Sequence, residues 1–134
     1  MSLGSWDPSA ESAAGDIQID SATLERFITY SREQQLPQLE HLITSDESQL
    51  LAGLMKIDHS AWLSATEDLT EEQLLHLIRF FAVAENLPGW EAGASSPVIP
   101  LAKTLRQRGA RLDKDLLRWL REVNNNRFLP YGPL

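Results

Sequence analysis

The chain has 134 residues, 43% hydrophobic and 23% charged, which is ordinary for a globular protein and long enough for one buried core without staples. It contains no cysteine, so disulfides, thiolate zinc sites and a cysteine nucleophile are all excluded. The net charge of −7 is unevenly spread: eight basic against three acidic residues from position 97 onward make that part +5 and leave the first 96 residues at −12. Such asymmetry can mark an anionic partner, or the two parts can face and neutralise each other.

No apolar run reaches the roughly 18 residues that a membrane helix needs. The first 30 residues lack the basic start and apolar core of a signal peptide. No membrane partner is therefore expected, and the expected compartment is the cytoplasm.

Residues 1–18 are rich in Ser, Ala, Gly and Asp and read as an N-terminal arm, with Trp6 its one bulky side chain and natural anchor. A helical domain over 19–126 follows. Asp20 is placed to cap a helix through about residue 35, with Leu24, Phe27, Ile28 and Ser31 on one face. Pro37 ends or kinks it and can itself open a helix through about Ile43. Thr44 or Ser45, with Asp46 and Glu47 behind, starts the next, whose apolar residues are Leu50, Leu51, Leu54, Met55 and Ile57. Asp58 caps a short turn or helix holding Trp62 and Leu63.

Residues 69–86 are the centre of the pattern. Thr70 and Gln73 have capping-box spacing, and Leu69 and Leu74 occupy the staple positions. Beyond the cap, Leu74, Leu75, Leu77, Ile78, Phe80, Phe81, Ala82, Val83 and Ala84 cover most of the circumference. A helix apolar nearly all round is buried among others. The expected fold is therefore an all-α single-domain bundle of about five to six helices around a central helix at 69–86.

The glycines, prolines and serines of residues 87–100 break the pattern. Ser96 and Pro97 then start a helix that Gly109 ends, and Asp113 caps a last one bearing Leu116, Leu117, Trp119, Leu120 and Val123. Residues 127–134, RFLPYGPL, read as an extended C-terminal tail. Three helices open with the same phrase, an apolar residue, an Asp or Thr cap and a leucine four residues on. They share no fixed period, so shared capping physics explains the likeness and no solenoid is expected.

Chemistry is sparse. Glu72, His76, Arg79 and Asn86 form a polar stripe on the central helix, interrupted by Val83, whose acid, imidazole and guanidinium could bind or protonate a small anion or serve as ordinary surface neighbours. His41, His59 and His76 have no ligand at metal-site spacing, and no di-iron, zincin or EF-hand motif occurs. Asp58, His59 and Ser60 include the residue types of a catalytic triad, but adjacent residues rarely meet in triad geometry, and Ser60 fits a cap better. No nucleophile elbow or phosphate-cradling glycine loop is present. No cofactor, metal or catalytic residue is therefore expected.

Three readings of function remain. The first is a non-enzymatic adaptor or regulator that contacts another protein, and a second copy of the chain is not excluded. Its candidate contacts are Trp90 in the irregular loop, Lys114, Arg118 and Arg121 on the last helix, and Arg127, Phe128 and Tyr131 in the tail. Trp90 could instead fold back over the end of the central helix. The second is nucleic-acid binding through the basic helix pair at 97–127, which has the outline of a helix-turn-helix. Interleaved Asp113, Asp115 and Glu122 and an overall pI near 4.9 oppose it. The third is a ligand carrier or enzyme with an apolar pocket lined by Trp62, Trp90 or Trp119.

Overall fold

A computed structural model of the chain describes residues 18–110, 112–124 and 126. Among them lie seven α-helices and no strand: α1 (Ser21–Arg32), α2 (Leu39–Leu42), α3 (Ser45–Leu51), α4 (His59–Ala65), α5 (Glu71–Ala84), α6 (Val98–Gln107) and α7 (Lys114–Val123). Single 3₁₀ turns occupy Leu36–Gln38, Ala52–Lys56 and Gly93–Ser95. The fold is all-α around a central helix, as expected, with slightly more helices than the pattern suggested. The surplus comes from residues 36–65, where extended backbone at Ile43 and the change to 3₁₀ winding at Ala52 cut the chain into short pieces. Trp6 lies outside the described residues.

Helix starts follow from local chemistry. The Asp20 carboxylate accepts from the Thr23 amide at 2.8 Å, and Asp113 accepts from Leu116 at 2.7 Å. Thr70 and Gln73 close their capping box in both directions, at 3.1 and 2.8 Å. Thr44 and Glu47 do the same for α3. Each bond satisfies an amide that the helix leaves unpaired.

Helix ends follow the same logic. Gly109 adopts φ +85°, and the chain closes a Schellman motif from Ala110 N to Leu105 O at 2.9 Å and Gly109 N to Arg106 O at 3.0 Å. The same motif ends α1, from Gln35 N to Tyr30 O at 2.8 Å. There, however, the left-handed position is held by Gln34 at φ +60°, which a side chain makes costly.

The central helix α5 packs against α1, α6, α7 and the turn at Leu36–Gln38. Leu74, Leu77, Ile78, Phe80, Phe81, Ala82 and Ala84 are all fully buried. Its two adjacent phenylalanines organise the aromatic core. Phe80 stacks on Phe27 of α1, with centroids 4.0 Å apart and planes 9° from parallel. Phe81 stands edge-on to Phe27 at 5.7 Å and to Trp62 of α4 at 5.2 Å. Trp90, from the loop after α5, meets Phe80 at 6.3 Å.

Replacing Phe80→Ala is expected to remove about 3–5 kcal/mol of stability in urea denaturation, the usual cost of a large aromatic cavity. Gln34→Gly is expected to raise stability by roughly 1 kcal/mol in the same assay, because the left-handed position then carries no Cβ.

Candidate functional site

Two polar constellations and one groove lie around the central helix. The first constellation is the stripe expected from sequence. Glu72 pairs with Arg32 of α1 through two bonds, 2.8 Å to Nη2 and 3.2 Å to Nε. The His76 Nε2 lies 3.5 Å from Glu72, and its Nδ1 bonds the buried Ser31 hydroxyl at 2.8 Å. Burial pushes the imidazole below its ordinary value, although Glu72 opposes that shift. The neutral ring is therefore favoured, as suits a joint that ties α1 to α5. Arg79 does not join Glu72. It lies over the Trp119 ring of α7, its guanidinium carbon 5.3 Å from the centroid.

The second constellation sits at the C-terminal end of α5 and centres on Glu85, for which the sequence suggested no role. Glu85 is only 6% exposed. One of its carboxylate oxygens accepts from the Ser96 hydroxyl, and the other from Asn124 at 3.4 Å and Asn126 at 3.2 Å. The Asn124 amide also donates to Ala82 O at 2.9 Å, and that of Asn126 to Gly93 O at 2.9 Å. The Asn86 amide donates to Val123 O at 2.6 Å. The knot thus joins α5, the loop before α6 and the end of α7. Burial raises the Glu85 pKa above its ordinary 4.5, against the opposing pull of its hydrogen bonds. The local sequence marks Glu85 only as an acid at the helix C-terminus, the unfavourable end of the dipole.

The groove runs between the end of α1, residues 36 and 37, α5 and α7, with a volume of about 600 Å³. Leu36, Pro37, Val83 and Val123 supply its aliphatic wall, Trp119 its aromatic one, and Arg79 its one charge. Ser31, Gln34 and Asn86 also line it. Trp119 and Arg79 are both half-buried.

The residues expected to contact a partner fall into three groups. Trp90 is overturned as a surface contact: its ring is 0% exposed and its Nε1 donates to Ser48 at 2.9 Å. The apolar face of the indole enters the core while its one polar atom still finds an acceptor. Lys114, Arg118 and Arg121 are exposed along α7, with Arg118 3.6 Å from Asp115. Arg127, Phe128 and Tyr131 lie outside the described residues. Elsewhere in the basic part, Arg108 donates to the main-chain oxygens of Leu69 and Glu67, the latter at 2.9 Å. Asp58 and Ser60 form the cap of α4, its carboxylate accepting from both the amide and the hydroxyl of Ser60.

Among the described residues no group of three or more His, Cys, Asp or Glu side chains could hold a metal ion. No described helix is long and apolar enough to cross a membrane. No family model, curated protein or solved structure matches the chain.

The Glu85 shift has a definite sign. The folded state holds that proton more tightly than the unfolded chain, so the associated stability is complete below the ordinary carboxyl pKa and is lost as pH rises through the raised value. Glu85→Gln keeps the shape and the acceptor to both asparagines, and can donate to Ser96. It is expected to melt at a higher temperature than the wild type at pH 7, with the difference vanishing near pH 4. Equal melting temperatures at pH 7 would contradict this assignment.

Proposed function

We propose that this protein is a non-enzymatic helical adaptor or regulator that acts by holding another protein in the groove beside Trp119. The observation that carries the reading is the groove itself, an open aliphatic trough with a half-buried tryptophan and arginine on one wall. Tryptophan and arginine are the residues most enriched among those that dominate interface energies. The guanidinium over the indole restrains both side chains, so a partner needs to immobilise less.

Nucleic-acid binding is the second reading, and the exposed line of Lys114, Arg118 and Arg121 favours it. The same exposed surface carries Asp115 and Glu122, and interleaved acids weaken phosphate contacts. A carrier function loses two of its three expected lining tryptophans, since Trp62 and Trp90 are fully buried against Phe81 and Phe80.

The test is a photo-crosslinking amino acid placed at Gln34, on the groove rim, in the full chain expressed in its own host. The expected result is a discrete protein adduct that persists after nuclease treatment and disappears on Trp119→Ala, with unchanged far-UV circular dichroism. Adducts abolished by nuclease, and by Gln at Lys114, Arg118 and Arg121 together, would transfer the function to the second reading.

A further inference from the structure

The groove is distinguished by its single charge. Arg26 pairs with Glu47 at 3.0 Å, Arg32 with Glu72 at 2.8 Å and Arg118 with Asp115 at 3.6 Å. Arg79, by contrast, has no carboxylate partner among the described residues, although it is half-buried and so partly stripped of water. A cation in that position gains more from an anion than one in open solvent does. The contact with the Trp119 ring restrains the guanidinium, and a guanidinium can offer paired N–H groups to a carboxylate.

From this geometry we infer that the groove binds an extended peptide segment of a partner protein, with a carboxylate on Arg79 and bulky aliphatic side chains against Leu36, Pro37, Val83 and Val123. This rests on the protein-binding reading above and specifies its ligand. A phosphate group fits less well, because its double charge calls for more than the one cation lining the groove. A fatty acid would use the aliphatic wall and the guanidinium alone. Gln34 and Asn86 also line the groove, and both are exposed residues with polar groups of the kind that bond a peptide main chain. The chain's net charge of −7 does not oppose an acidic segment at close range, because charges beyond about 8 Å are screened at physiological salt.

The experiment is selection of a displayed library of random 12-residue peptides on the full chain, followed by affinity measurements with the enriched peptides. The expected sequences carry Asp or Glu beside Leu, Ile, Val or Met. Binding should weaken about tenfold on Arg79→Gln, the scale of one lost charge-assisted bond, and less on Arg79→Lys. Changing the acid of the peptide to its amide should cost the same, and the two changes together no more than either alone. Melting curves confirm that each variant is folded.

Enriched peptides without an acid, or with equal affinity for Arg79→Gln, would overturn the carboxylate assignment. The protein-binding reading would then survive only if Trp119→Ala still abolished binding. Peptides unaffected by both substitutions, or a library without binders, would overturn both readings. Displacement of bound peptide by sodium oleate or by synthetic RFLPYGPL at comparable concentration would assign the groove to a lipid or to the chain's own C-terminal segment, and would likewise overturn the proposal.

Discussion

Two consecutive phenylalanines on a helix point about 100° apart, so burying both calls for cover on more than one side. Phe80 and Phe81 are both fully buried, and the rest of the fold answers that demand. Helix α1 supplies Phe27 to stack on Phe80, and α4 supplies Trp62 to meet Phe81 edge-on. The loop after α5 supplies Trp90. That loop has little regular structure of its own, yet it is held at its centre by a buried indole whose nitrogen is bonded to Ser48 on α3. A single pair of adjacent aromatic residues thus explains why the central helix is surrounded on several sides.

The groove depends on that arrangement at one remove. The end of α7 is held to α5 by the Asn86 bond to Val123 O and by Asn124, whose amide reaches both Ala82 O and Glu85. These bonds place Trp119 over Arg79 and so define the groove wall. A buried carboxyl is costly unless hydrogen-bonded, and here only neutral donors meet it. The knot that holds the end of α7 beside the groove is thus built on a carboxyl whose charged form burial disfavours.

Part of the charge asymmetry serves local roles among the described residues. Arg108 caps the chain before α5, Arg118 answers Asp115 within its own helix, and Lys114 is exposed at the start of α7. On the acidic side, Glu47 and Glu72 pair with arginines of α1. Arg79, which belongs to the acidic part of the sequence and stands in the groove, is half-buried without a carboxylate partner among the described residues.

What the sequence determined by itself was whatever acts over a few residues. Asp20, Thr44, Asp58, Thr70 and Asp113 cap their helices because a cap needs only an amide two or three positions on. Gly109 ends α6 for an equally local reason, and the apolar circumference of residues 69–86 required burial whatever covered it. The roles of the tryptophans and of Glu85 were not legible in that way. Trp90 in a polar loop read either as a surface contact or as a plug folded back over the central helix, and it is in the core, while Trp119, one of three tryptophans that could line a pocket, lines an open groove. Glu85 drew no attention, because its partners Ser96, Asn124 and Asn126 lie 11 to 41 residues away. Only the tertiary structure decided these, since exposure and long-range hydrogen bonding depend on which helices meet, and no local spacing records that.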